Sequence, residues 1–278
     1  MPSTSDLPAT PSIRAKLNYI VDNGRPPVTY VDWPEMENQV VLGEYELKEV
    51  EIRDGRPLIG QFVLDTHGFA FTKHETKVKD FTDEAERKRV YDPEIEALVK
   101  HYSGAREVIV FDHTIRIGDE AGRKAINARP PVRGVHNDYT ERSGPQRLRD
   151  ILGEAEAERR MQKRWGIIQV WRPIRGAVLA DPLAICDGRT IPRTGFIPIQ
   201  RRYRYRTAES YHISYAPSHV WFWLPQMRRE EAIVFKVYDT GTGVASQFTA
   251  HTAFEDPGTP ANAPGRESIE TRTFVFFD

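Results

Sequence analysis

His136 and Asp138 stand two residues apart in the stretch RGVHNDYTERSGPQ, residues 133–146. On an extended backbone, side chains at i and i+2 leave the same face, so this imidazole and carboxylate make two thirds of a metal clasp. The pair carries little weight alone: with 8 histidines and 40 acidic residues in 278, roughly one His-x-Asp/Glu is expected by chance. It gains meaning only if the chain supplies a third ligand. Two histidines and one carboxylate on one face of the metal are the ligand set of non-haem Fe(II) oxygenases, which leave the remaining coordination positions open. Two of those suit a chelating 2-oxoacid and one suits O2.

Two later histidines compete for the third place, His219 in YAPSHVWFW and His251 in FTAHTAFEDPGTPANAPGRESIETR. Fifteen residues after His251, across a loop rich in Pro and Gly, come Arg266 and, at i+2, Ser268. A guanidinium fork beside a hydroxyl is a receptor for the distal carboxylate of 2-oxoglutarate. His219 alternates with bulky apolar residues, so packing accounts for it without a metal. Tyr139, His113, Trp171 and Arg172 are further candidates for a pocket wall.

The elements that must position these residues are mainly strands. The first 75 residues hold β-rich stretches broken by Gly and Pro, among them PVTYVDW, VVLGEYELKEVEIRD and LIGQFVLDTHGFAFTKHE. DPEIEALVKHYSG reads as a helix with Asp92 as its N-cap and Gly104 as its stop. REVIVFDHTIRI then reads as a buried strand. GPQRLRDILGEAEAERRMQKRW reads as one longer helix, with Leu148, Ile151, Leu152, Ala155 and Met161 on a stripe. From about residue 165 onward the pattern is strand and loop, including GIIQVWRPI, VWFWL, EAIVFKVYD and SIETRTFVFF. In RRYRYR, residues 201–206, a strand would place Arg202, Arg204 and Arg206 on one face. That face is either solvated or a patch for an anionic substrate or partner. The expected architecture is mostly β with bracing helices: a polar tail over residues 1–12, then one domain over 13–278.

Composition narrows the function. Charged residues are 28% of the chain but cancel to −1, which argues against a general nucleic-acid binder. The single cysteine, Cys186, excludes an intrachain disulfide framework and a multi-cysteine metal site. No run approaches the roughly 18 apolar residues of a membrane helix, and MPSTSDLPATPS lacks the plan of a secretory signal. The expectation is a cytoplasmic protein acting on a small molecule, without nucleic-acid or membrane partners. A homodimer is left open.

The segments VHNDYT, WRPI…DPLAICD, LPQMRREEAIVFKVYD and AHTAFEDPGTPANAPGRESIETRTFVFF together resemble Fe(II)/2-oxoglutarate-dependent oxygenases with a double-stranded β-helix (jelly-roll, cupin-like) core. More narrowly, they resemble the AsaB/CmcJ-type hydroxylase/desaturase family. The likeness runs from about residue 100 to the C-terminus, and more loosely before that. It implies that His136, Asp138 and His251 hold iron and that Arg266, with Ser268, holds 2-oxoglutarate. Arg272, of the same strand parity, is a weaker candidate for that anchor. Halogenases resembling this motif carry Gly or Ala where Asp138 stands, so oxygenation or desaturation is implied. The implied reaction consumes Fe(II)-bound 2-oxoglutarate and O2, releases succinate and CO2, and hydroxylates an unactivated C–H bond. Desaturation, epoxidation and endoperoxide formation are variants of the same chemistry. Two other classes remain from the residues alone. A metal-dependent hydrolase would give Arg266 and Ser268 no task, and a non-catalytic β-sandwich would bind no iron.

Overall fold

The computed structural model describes residues 7–278. Its strands are β1 (Ser12–Ile20), β2 (Val28–Tyr30), β3 (Tyr45–Asp54), β4 (Phe69–Lys73), β5 (Glu107–Ile117), β6 (His136–Asn137), β7 (Trp165–Pro173), β8 (Leu183–Cys186), β9 (Phe196–Arg202), β10 (Thr207–Ile213), β11 (Trp221–Trp223), β12 (Glu231–Asp239), β13 (His251–Ala253) and β14 (Glu267–Phe276). Helices α1 (Leu64–His67), α2 (Glu84–Glu86), α3 (Asp92–Ser103), α4 (Glu120–Ile126), α5 (Ser143–Leu152) and α6 (Glu154–Met161) brace them. One sheet runs β1-β3-β11-β8-β13-β6-β10-β9-β2 and the other β4-β12-β7-β14-β5. This is the jelly-roll arrangement expected from the sequence.

The five-stranded sheet explains why its strands read as unbroken apolar runs. Every residue of β7 and β12 is buried, because both faces of the sheet are covered. On the outer face, Ile95, Leu98 and Val99 of α3 pack against Ile168, Val170, Val234, Ile269 and Val275. The inner face changes character across its width. Phe69, Phe71, Ile233 and Phe235, on β4 and β12, join the apolar core between the sheets. The register then aligns Gln169 with Arg272 and Trp171 with Glu270, and further out Thr114 with Glu270 and Arg116 with Ser268. Polar groups are thus gathered at the β14–β5 side of the interior, and the site lies there.

Several local expectations change. The helix expected through residues 144–165 breaks at Gly153, whose φ of +80° ends α5 and lets α6 leave at an angle, so Ile151 stays 38% exposed. Asp92 lies within a continuous helical run whose N-cap is Asp83, accepting from the Ala85 and Glu86 amides. RRYRYR is not a strand: β9 ends at Arg202, Tyr203 and Arg206 close a turn, and β10 begins at Thr207. Of the tail expected over residues 1–12, residues 1–6 lie outside the described residues, Leu7 packs against the inter-sheet core, and Ser12 opens β1.

Candidate active site

Three histidines lie side by side on adjacent strands. His251 of β13 is the register partner of His136 on β6, and His136 is in turn the partner of His212 on β10. Directly opposed residues of antiparallel strands project to the same face. Accordingly the His136 ring lies 4.3 Å from that of His251 and 6.0 Å from that of His212. Asp138, one residue beyond β6, turns toward the same point. One ligand atom from each of His136, Asp138 and His251 falls within 4.8 Å of the others.

The surroundings fix the orientation and charge of these groups. The His136 Nδ1–H donates to the Gly134 carbonyl at 2.7 Å, which turns Nε2 toward Asp138 Oδ1, 3.4 Å away. His251 is buried beside Phe235, ring centroids 4.9 Å apart. Burial, with the neighbouring His136 adding, drives its pKa well below the usual histidine range and so keeps the imidazole neutral. Burial, the largest single influence, works against the Asp138 carboxylate, but the Arg272 guanidinium together with the neighbouring His136 and His251 outweighs it and holds that carboxyl well below the ordinary value. Gln169 donates to Asp138 Oδ2 at 2.8 Å, and Arg272 donates to the same oxygen at 3.1 Å from Nε and 2.7 Å from Nη2. Arg272 also pairs with Glu270 and donates to Asp112 and Thr114, each at 2.8 Å.

Arg266 and Ser268 differ from Arg272 in having almost no partners. Arg266 is buried, donates from Nη1 to the Asp181 carbonyl, and lies 5.2 Å over the Trp171 ring. Its Nε and the Ser268 hydroxyl are buried without a hydrogen-bond partner. Burial pushes the Arg266 pKa down to about 10. A buried guanidinium that the Asp181 and Glu270 carboxylates reach only electrostatically, without an ion-pair contact, calls for an anion. The chain reaches this position through two glycines packed backbone to backbone: a Cβ on Gly265 would lie 2.5 Å from the Asp119 nitrogen, and one on Gly118 would lie 2.9 Å from the Arg266 nitrogen.

A cavity of about 970 Å³ opens beside the cluster, with His136, Asp138, Tyr139, His212 and Arg272 in its wall. The structure therefore brings together His136, Asp138 and His251, and sets Ser268 farther along the inner face of β14, with Arg266 just before that strand begins. His219 lies elsewhere, stacked on Tyr19 at 5.6 Å. His113 faces the opposite way and bonds Asp92 and Thr271. Trp171 faces the interior. Arg172, the next residue along the strand, points to the outer side and donates to the His74 carbonyl. Sequence reading missed Gln169, Glu270 and His212. The parity that links Arg266, Ser268 and Arg272 also contains Glu270 and was the available signal for it. Nothing local marked the other two.

Two facing sheets that close on a His-x-Asp pair and a distant histidine place the chain in the double-stranded β-helix class. A family described as oxidoreductase/YMDC permease-like domain matches residues 17–276. The alpha-ketoglutarate-dependent dioxygenase phiK of a fungal species (strain ATCC 74256) is 33% identical over 255 residues, covering 88% of this chain and 90% of phiK. The hydroxylase/desaturase efuI of Hormonema carpetanum is 31% identical over 260 residues, 84% of this chain and 85% of efuI. The solved structure of the iron and alpha-ketoglutarate-dependent endoperoxidase NvfI matches with a TM-score of 0.85 at 29% identity, covering 96% of this chain and 98% of that one. The chain belongs to the matched family and, with these relatives, to the Fe(II)/2-oxoglutarate-dependent hydroxylases and desaturases.

Proposed function

We propose that His136, Asp138 and His251 hold one Fe(II), and that Arg266 with Ser268 receives the distal carboxylate of 2-oxoglutarate. The enzyme then hydroxylates a small or medium organic metabolite at an unactivated C–H bond, with succinate and CO2 as coproducts. The carrying observation is the convergence of two neutral-capable imidazoles and one carboxylate within 4.8 Å. The donor set fits ferrous iron, and the unpartnered Arg266 Nε and Ser268 Oγ fit a dicarboxylate cosubstrate. When bound, the iron, the 2-oxoacid and O2 supply the oxidising power for C–H cleavage.

The chain's own residues supply position and dryness. Gln169 and Arg272 orient Asp138 through one oxygen and leave the other toward His136. The Gly134 carbonyl fixes the His136 tautomer. Trp171 and Phe235 wall the interior side against water. The names of relatives, a hydroxylase/desaturase and an endoperoxidase, motivate a second reading in which the same centre desaturates its substrate or adds O2 to it. The net charge of −1, and the absence among the described residues of a helix long and apolar enough to cross a membrane, support a cytoplasmic enzyme acting on a small molecule.

The test is anaerobic addition of Fe(II) and then 2-oxoglutarate to the metal-free protein. The weak visible absorption of an iron-chelated 2-oxoacid is expected, followed by succinate formation when air is admitted. No absorption from correctly folded protein would refute the reading.

A further inference from the structure

The cavity is far more basic than the chain. Against a net charge of −1 for the protein, its lining holds eight arginines and four carboxylates. The carboxylates are already engaged. Asp112 and Asp138 take Arg272, Glu209 accepts from Thr140 and Gln200, and Asp150 accepts from Gln146. Among the described residues, no carboxylate pairs with Arg116, Arg129, Arg142, Arg147, Arg201 or Arg206 of this lining. Guanidinium groups crowded around one concave space repel one another, and such a field concentrates anions.

The walls place this charge at a definite distance from the metal cluster. Helix α5 turns one face to the cavity, through Ser143, Gln146, Arg147 and Asp150. Arg147 on that face lies 5.5 Å over the Phe111 ring, which stacks on Phe274 at 4.1 Å. The other wall is the β9–β10 hairpin, where Arg201 is the register partner of Ala208 and so shares a face with His212, four residues farther along β10. At about 3.3 Å per strand residue, Arg201 stands some 13 Å along the sheet from the level of His136 and His212.

We infer that the primary substrate is an organic anion. Its carboxylate, or an equivalent oxyanion, is held by Arg147 and Arg201, while the carbon to be oxidised lies roughly a molecule's length away at the His136–Asp138–His251 cluster. This deepens the proposed function and rests on that cluster being the iron site. A guanidinium presents paired donors to a carboxylate, so two of them fix orientation as well as charge. The arginines would then select which C–H bond faces the metal.

The test compares two fluorescent probes of similar aromatic shape, the anion anilinonaphthalene sulfonate and the neutral phenylnaphthylamine. Binding is measured on protein loaded with Fe(II) and 2-oxoglutarate without O2. The anion is expected to bind roughly tenfold or more tightly than the neutral probe. The Arg147→Gln/Arg201→Gln double variant should lose that preference but keep the 2-oxoglutarate absorption and its affinity for the cosubstrate. Arg147→Lys/Arg201→Lys should restore most of the preference. Equal binding of the two probes by the wild type, or an unchanged preference in the Gln pair, overturns the inference. A fall in 2-oxoglutarate affinity in place of the anion preference also overturns it, because the arginines would then guide the cosubstrate. Those three results leave the iron reading standing, whereas absence of the absorption in the wild type removes both.

Discussion

Arg272 grips Asp138 by a single oxygen. Its Nε and Nη2, at 3.1 and 2.7 Å, both donate to Oδ2, as does Gln169, and Oδ1 is left 3.4 Å from His136 Nε2. The same guanidinium neutralises Glu270, which approaches His251 Nε2 to 4.0 Å. One arginine therefore orients a proposed metal ligand and offsets the charge of a second buried carboxylate.

This dual attachment predicts a non-additive pair of variants. Arg272→Met should weaken Fe(II) binding about 10–100-fold, the usual scale for losing the support of a metal ligand. It should also destabilise the fold by about 3–5 kcal/mol, because Glu270 is left buried without a counter-charge. Adding Glu270→Gln should recover a good part of the stability and little of the metal affinity. Thermal unfolding and metal titration of the single and double variants separate the two effects. Equal, additive losses would show that Arg272 and Glu270 do not act as a pair.

Arg266→Ala should raise the 2-oxoglutarate requirement and leave iron bound. Truncating one partner of a buried charge pair costs about 2–5 kcal/mol, or roughly 30-fold or more in affinity. The cosubstrate concentration that half-saturates the visible absorption measures it directly. A large effect at Arg272 on that concentration, with little at Arg266, would move the anchor to Arg272.

The fold was legible where burial covers both faces of a strand. EAIVFKVYD and GIIQVWRPI read as strands because both faces of β12 and β7 pack. The candidate ligands were legible because His136 and Asp138 stand two residues apart, and the chain, bending just past the short β6, still turns both to one point. The partners of Asp138 were not, since Gln169 and Arg272 meet it from a different sheet through register alone. RRYRYR misled because alternation of charge and aromatic imitates a strand, while the hairpin geometry between β9 and β10 decides the turn.

Burial of His219 and His212 makes a prediction about acid stability. Burial pushes the His219 pKa down to about 4, and burial with the neighbouring His136 pushes His212 down to about 3. In the unfolded chain both titrate near the ordinary value of about 6.5. Above that pH both states are neutral and nothing is lost. As pH falls from about 6.5 toward 4 only the unfolded state takes up these protons, so folding stability declines. Denaturant unfolding of the metal-free protein across that range should show the slope, and His219→Gln should reduce it by about one proton. An unaltered slope would place the His219 pKa near its normal value.

The choice of His251 over His219 as distal ligand can be tested by the same substitution at each position. His251 stands opposite His136 in the β13–β6 register, is buried, and has a neutral ring with Nδ1 unpartnered. His219 stacks on Tyr19, with Nδ1 3.4 Å from its hydroxyl, and lies beside Trp221 in a separate aromatic group. His251→Ala should therefore abolish iron retention and turnover together. His219→Ala should keep stoichiometric iron and lose only stability, by about 1–3 kcal/mol for a buried ring removed from its stack. The two readouts must move apart for the assignment to stand. Iron bound by His251→Ala but absent from folded His219→Ala would transfer the ligand to His219 and leave the β13–β6 pairing a purely structural contact.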